Sequence, residues 1–164
     1  MDATVNTATM ADLDALVESW IALVESQRAF GSHIAGESNR TVARHLLAEY
    51  VDAGMVAVAR AEAELQGFVM FYEETGTYEQ TVRRGVVENI YVRPEGRGAG
   101  IGSALLDHAE AALADRGIEV VSIAAMAEND SAIDLYEGRK YSPYRIVFER
   151  PLDEGESVNE SPPK

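Results

Sequence analysis

The sequence predicts a mixed α/β sheet with helices on both faces, in the order β-α-α-β-β-β-α-β-α-β. Three observations carry this. Apolar residues recur at helical spacing over residues 9–30 and 40–53. Runs rich in β-branched and aromatic residues then follow in quick succession at 55–61, 65–73 and 86–92, which reads as an antiparallel set. The last run enters a glycine-rich turn and an apolar-striped helix before another strand begins, which is a β-α-β crossover. At 164 residues one domain is expected, over 1–152, long enough to bury about 68–70% of its unfolded surface.

Taken in order, residues 3–8 suit a short first strand. Thr9 reads as a helix N-cap with Asp12 in the capping-box position. Leu13, Leu16, Val17, Trp20, Ile21 and Val24 form the apolar stripe of the helix that follows, as far as Phe30. Gly31–Asn39 is a polar loop. A second helix over Arg40–Ala53 is expected to bury Val42, Leu46, Leu47 and Tyr50, and Gly54 supplies its stop. Met55–Ala61 and Leu65–Glu73 are strands joined by a hairpin at Glu62-Ala63-Glu64, with Gly67 marking a bulge or a close backbone approach. Glu74–Gly85 is a polar loop. The strand at Val86–Val92 leads into the glycine turn and a helix with Ile101, Leu105, Ala109, Ala112 and Leu113 on one face, ended by Gly117. Glu119–Met126 is the next strand, Asn129 caps a short helix, and Tyr141–Arg150 returns as the last strand. From Asp153 onward little could enter a core, and a disordered acidic tail over 153–164 is expected.

Composition excludes several classes of function. Asp and Glu number 28 against 14 Lys and Arg, a net charge of −14, and this argues against binding nucleic acid. Only Lys140 and Lys164 are lysines, so 12 of the 14 cations are arginine. An acidic surface almost without lysine resembles proteins of salt-accumulating, halophilic microbes, in which molar salt screens self-repulsion to a Debye length of about 3 Å. No run approaches 18 apolar residues, so no membrane span is expected, and the first residues lack a signal peptide's pattern. With no cysteine there is no disulfide, thiolate metal site or cysteine nucleophile, and the three histidines lack metal-ligand spacing. A cytoplasmic protein without a metal is the expectation.

The chemistry centres on the stretch from Val86 to Leu106. Glycines occupy every second position from 96 to 102 between a strand and a helix, which exposes backbone N–H groups at the positive end of a helix dipole and suits a phosphate. A Walker A loop needs a lysine, and there is none before residue 140. A dinucleotide fingerprint needs glycines at i, i+2 and i+5, but Gly96 and Gly98 lead to Ile101, and Gly98 and Gly100 lead to Ser103.

Arg97-Gly98-Ala99-Gly100-Ile101-Gly102 instead matches R/Q-x-x-G-x-G/A, the signature of the GCN5-related N-acetyltransferases (the GNAT superfamily). The preceding Val-Glu-Asn-Ile-Tyr-Val-Arg-Pro resembles that family's fourth strand, and residues 128–137 resemble its N-x-x-A-x-x-L-Y-E segment. The resemblance covers about residues 3–150. There is one departure: the family closes Y-E-x-x-G-F/Y, whereas this chain has Lys140 at the glycine position and Gly138 two residues early, which predicts a left-handed helix end moved to Gly138.

The resemblance implies direct transfer of acetyl from acetyl-CoA to a primary amine, on a small molecule or a peptide N-terminus. The backbone at Gly98, Ala99, Gly100, Ile101, Gly102 and Ser103 would hold the pyrophosphate, with Arg97 supporting the turn. The strand edge at Ile90, Tyr91 and Val92 would pair with the pantetheine, and Asn129 would lie beside it. Glu88 would take the proton of the amine and Tyr136 would protonate the leaving thiolate, a phenol and a thiol being close in basicity. Without cysteine a ternary complex replaces any acyl-cysteine intermediate. Each residue also has a plain structural reading: Tyr136 on the apolar side of a short helix, Asn129 as an N-cap, Glu88 on a solvated strand position. His33 lies in a loop near where the family admits its acceptor. The acceptor's identity is not encoded in any motif, and a homodimer, common in the family, stays open. A non-catalytic acyl-CoA sensor is the alternative, disfavoured by the presence of both Glu88 and Tyr136.

Overall fold

The computed structural model describes residues 1–153. Its strands are β1 (Thr4–Thr7), β2 (Val56–Ala61), β3 (Glu64–Glu73), β4 (Arg84–Val92) and β5 (Val120–Ile123). Its helices are α1 (Leu13–Arg28), α2 (Arg40–Asp52), α3 (Ile101–Asp115) and α4 (Asp130–Gly138). The sheet runs β1-β2-β3-β4-β5, antiparallel through β4 and parallel between β4 and β5, so the mixed α/β fold read from the sequence is the fold observed.

Alternation along the strands feeds two cores. Val56, Val58, Phe68 and Met70 face α1 and α2, whereas Ala57, Ala59, Val69 and Phe71 face α3. The small alanines on the second face let Leu105, Leu106 and Ala109 of α3 approach the sheet closely. Burying a side chain such as Phe68 or Phe71, both with no exposed surface, contributes about 1.5–3 kcal/mol. At the start of the chain the Asp12 carboxylate accepts the Thr9 N–H at 2.8 Å, as the capping-box reading anticipated, and also pairs with Arg60 of β2.

Irregularities in the ladder matter more than its regular parts. The hairpin between β2 and β3 turns on Glu62 and Ala63, at φ 51° and 69°. Two left-handed residues make the turn whose twist matches the strands, here without the usual Asn-Gly. Beyond it the β2–β3 register shifts between Ala59 and Arg60. Next to this shift a Cβ at residue 67 would collide with the Tyr91 carbonyl, so Gly67 is both beside a bulge and at a close approach. A second shift lies opposite Met70 and Phe71, where Asn89 and Val87 are paired and Glu88 is the extra residue. β5 pairs only with Arg84–Val87, so from Glu88 to Val92 the β5-facing side of β4 is unpaired.

Four expectations are corrected. α2 buries Ala43, Leu47 and Val51; Val42 and Leu46 face solvent, and Tyr50 is half-buried. Ala43, Leu47 and Val51 form one i, i+4, i+8 row, and Leu47 and Val51 join the core that also holds Leu16, Val17 and Leu23 of α1. β5 stops at Ile123 rather than Met126: its pairing with β4 ends at Val87, immediately before the extra residue Glu88. α4 continues through Gly138, and the left-handed residue is Lys140, at φ 70°. The Lys140 N–H donates to the Glu137 carbonyl and the Tyr141 N–H to that of Tyr136, a Schellman closure in which lysine occupies the usual glycine position. Finally, Tyr141–Arg150 forms no strand among the described residues. A strand exists only as half of a ladder, and among the described residues this segment has no ladder partner. The expected tail beyond Asp153 lies outside the described residues.

Candidate functional site

The glycine turn is built as the signature spacing requires. A 3-10 turn at Pro94–Gly96 brings the chain off β4. Gly98 and Gly100 then take φ values of 77° and 80°, which L side chains adopt only at a cost, while Ala99 between them is exposed. α3 begins at Ile101 with Gly100 as its N-cap and no side-chain cap, so no side chain of the cap residue occupies its first-turn N–H groups. Arg97 Nε donates to the Val92 carbonyl at 3.1 Å and fastens the turn to the end of β4. That bond engages the Val92 carbonyl, so what the open edge of β4 offers at its end is reduced by one acceptor. Ile101 is buried beneath the turn, Gly102 and Ser103 are half-buried at its rim, and Arg97 is exposed. The turn carries an arginine and a helix N-terminus, which fits an anion such as a pyrophosphate.

α4 closes over one side of this turn. Leu135 Cδ2 lies 3.5 Å from where a Cβ on residue 102 would stand, and Leu135 and Tyr136 pack on the α3-side core with Ile90 and Val92. Burial pushes the Tyr136 phenol up to about 12, so it stays protonated through neutral pH. The C-terminal end of α4 is pinned to α3: Arg139 pairs with Asp107 at 2.6 Å and Glu110 at 3.0 Å, and the Tyr141 hydroxyl donates to Glu110 at 2.7 Å. Asn129 is a true N-cap, its Oδ1 accepting the Ala132 N–H at 3.2 Å. That bond fulfils the plain reading of Asn129 and occupies its acceptor oxygen.

Glu88 belongs to the other side of the sheet. It is exposed, and the Tyr50 and Tyr72 rings meet edge to face at 6.2 Å on the face covered by α1 and α2. Burial first, and then the nearby Glu88 carboxylate, hold both phenols above their ordinary value. Tyr50 and Tyr72 line a cavity of about 300 Å³ with Glu49, Ala53, Met55 and Glu73. β4 thus has the glycine turn, Ile90, Val92 and Tyr136 on one side, and Glu88 with two tyrosines on the other. Tyr91, counted above among the edge residues, turns its ring into the α1 and α2 core against Phe68, leaving only its backbone for the edge. Sequence reasoning missed Tyr72 and took Tyr50 for a core residue, because nothing in either local pattern indicates that α2 and β3 bring the two rings together. His33 pairs with Glu149 at 3.0 Å on the surface. Among the described residues no group of three His, Cys, Asp or Glu side chains is placed to hold a metal ion.

Residues 20–141 match the sequence profile of the acetyltransferase (GNAT) family. The chain belongs to that family. Its GNAT fold is shared with a GCN5-related N-acetyltransferase from Ralstonia eutropha, at a TM-score of 0.73 and 22% identity over 92% of this chain and 99% of the other. A predicted acetyltransferase of Clostridium acetobutylicum, determined with acetyl-CoA, gives 0.68 at 18% identity over 92% and 97%. Among curated GNAT relatives, thialysine N-epsilon-acetyltransferase of Sus scrofa is 35% identical over 71 residues, 43% of this chain and 41% of the relative. An acetyltransferase of Sodalis glossinidius is 31% identical over 90 residues, 55% of this chain and 58% of the relative. The match spans about half the length of these relatives.

Proposed function

We propose that this GNAT protein transfers the acetyl group of acetyl-CoA directly to a primary amine within a ternary complex. What supports the reading is the division of groups across β4: an anion-binding turn and an open strand edge on one side, a carboxylate with an aromatic cavity on the other. In this reading the turn at residues 97–103 holds the pyrophosphate and the edge at Ile90–Val92 receives the pantetheine. The amine enters from the side of Glu88, Tyr50 and Tyr72. The amine nitrogen forms a bond to the thioester carbonyl carbon, and the C–S bond then breaks. Glu88, directly or through one water, takes the proton of the ammonium that frees the nitrogen to attack. Tyr136 gives its own proton to the departing sulfur and is reprotonated, through solvent, by the second proton that nitrogen loses as the amide forms. A phenol held near 12 is a weak acid in water but is reliably protonated when a thiolate forms beside it.

The acceptor class follows from the same side of the sheet. Two phenol rings with Glu49, Glu73 and Glu88 favour an alkylamine that arrives as a cation, by attraction to ring faces and carboxylates. A net charge of −14 supports a soluble, cytoplasmic protein acting on such amines rather than on nucleic acid, and it supports operation at high salt.

The deciding experiment is thiol release from acetyl-CoA with a panel of primary amines, small and peptidyl, in molar salt. Turnover is expected with cationic alkylamines. Tight binding of CoA with no turnover on any amine would overturn the transferase reading in favour of a sensor.

A further inference from the structure

α4 presents Tyr136, and little in the helix itself fixes that side chain. The helix is 9 residues long and none of its residues is fully buried. Helices shorter than about 12–15 residues are marginal on their own in water, so α4 depends on what holds it from outside. Its N-cap does not supply that hold, because the Asn129 bond to the Ala132 N–H lies within the helix's own first turn. Leu135 and Tyr136 reach the α3-side core only as partly buried residues. Burial alone shifts the Tyr136 phenol, and among the described residues no hydrogen bond fixes its hydroxyl.

The hold comes from the other end. Glu110 of α3 engages both carboxylate oxygens on the segment that closes α4: Oε2 accepts Arg139 Nη2 at 3.0 Å, and Oε1 accepts the Tyr141 hydroxyl at 2.7 Å. The same Arg139 nitrogen reaches Asp107 at 2.6 Å. The Arg139 and Glu110 side chains are 19% and 34% exposed, so water competes less for this pair than for the open ion pairs elsewhere on the surface. Tyr141 connects the group to Tyr136 twice. Its N–H donates to the Tyr136 carbonyl at 3.0 Å, and its ring lies beside the Tyr136 ring, with centroids 6.1 Å apart and planes tilted by 56°. One residue thus meets Tyr136 at both backbone and ring while its hydroxyl is anchored to α3.

We propose that Glu110, Arg139 and Tyr141 form a positioning clasp that holds the Tyr136 ring against the Ile90–Val92 side of β4, where the sulfur departs. None of the three touches substrate; each acts through Tyr136. The clasp rests on the role given to Tyr136 in the transferase reading.

Kinetics and hydrogen exchange on the same variants test it. Glu110→Ala should lower kcat by about 10- to 100-fold and leave KM for acetyl-CoA within about 2-fold, since the turn at residues 97–103 is untouched. Glu110→Gln keeps the shape and one acceptor oxygen and should recover much of that loss. Tyr141→Phe keeps the ring and should cost less than Glu110→Ala. In a Tyr136→Phe background Glu110→Ala should cost nothing further, because the clasp acts only through the phenol. The α4 amides of Glu110→Ala should exchange at least about 10-fold faster while those of β2–β4 keep their protection, which separates a loosened helix from lost folding. If Tyr136→Phe is impaired but Glu110→Ala costs as much in that background as in the parent, the clasp is overturned and the acid role stands. Unchanged turnover in Tyr136→Phe would overturn the acid role and the clasp together. Unaltered α4 exchange would overturn the clasp even if no amine were turned over.

Discussion

Tyr136 sits where burial, with no charged partner, pushes its phenol up to about 12. The folded protein therefore holds this proton at a pH where the unfolded chain releases it. The stabilising contribution is fully present below about pH 10 and is lost as pH rises to about 12, a loss of about 1–3 kcal/mol. Tyr50, Tyr72 and Tyr141 shift in the same direction and steepen the fall. Urea titrations across that range should show the midpoint dropping, and Tyr136→Phe should make the drop shallower. In assays the same substitution should lower kcat by about 10- to 1000-fold with little change in acetyl-CoA affinity. Unaltered turnover would remove the phenol from the mechanism. For Glu88, the signature lies in the pH profile. Glu88→Gln should cost about 10- to 1000-fold in kcat/KM at pH 7, and the deficit should shrink as pH nears the amine's own pKa of about 10, where the acceptor arrives already deprotonated. A deficit constant with pH would make Glu88 a binding group instead. Glu88 could be named from its strand; its placement at a bulge beside two tyrosine rings could not, because β3 and α2 supply those rings.

At the scale of single elements, two turns use residues poorly suited to their backbone. The β2–β3 hairpin holds Glu62 and Ala63 in left-handed conformations, and the end of α4 holds Lys140 in one while Gly138 lies in the helix with open space about it. Replacing Glu62-Ala63 by Asn-Gly should stabilise the protein by about 1 kcal/mol. The pair Gly138→Ala/Lys140→Gly should do so by about 1–2 kcal/mol, since it removes a helical glycine and places one where the turn needs it. For a domain of this size each kcal/mol is worth about 2–4 °C in Tm, readable by calorimetry. A fall in Tm for the α4 pair would mean that the lysine side chain stabilises this end through contacts its exposure does not suggest. The helix end was misjudged from sequence for a simple reason. Glycine is preferred at a left-handed position but does not create one, and the position was fixed by Arg139 and Tyr141 binding α3.

For the whole molecule, charge dominates. Acetyl-CoA is a polyanion and the chain carries −14, so long-range repulsion opposes binding until salt screens it. The dissociation constant for acetyl-CoA should fall between dilute buffer and molar salt, as titration calorimetry would record. A constant that is flat or rises over this range would show that Arg97 and the start of α3 dominate binding locally and would count against adaptation to salt. Many surface ion pairs, such as Arg44 with Asp14 and Arg40 with Glu18 and Glu37, are exposed and individually contribute little. Stability at high salt therefore rests on the two cores flanking the sheet.

The sequence by itself determined the mixed sheet, the boundaries of α2 and α3 to within a residue or two, the glycine turn and the family, because these depend on local periodicity and on backbone freedom at fixed spacings. It also marked Glu88, Arg97, Asn129 and Tyr136 for attention. Only the tertiary structure decided which side of β4 each of them serves. It placed Glu88 at a register shift, committed Asn129 to its helix cap, tied Arg97 to the Val92 carbonyl and set Tyr50 against Tyr72. Among the described residues it also gave 141–150 no strand partner, although their alternation reads as a strand. The reason is the same in each case: a residue's type sets what it can bond, and only the packing of distant elements sets what is there to be bonded.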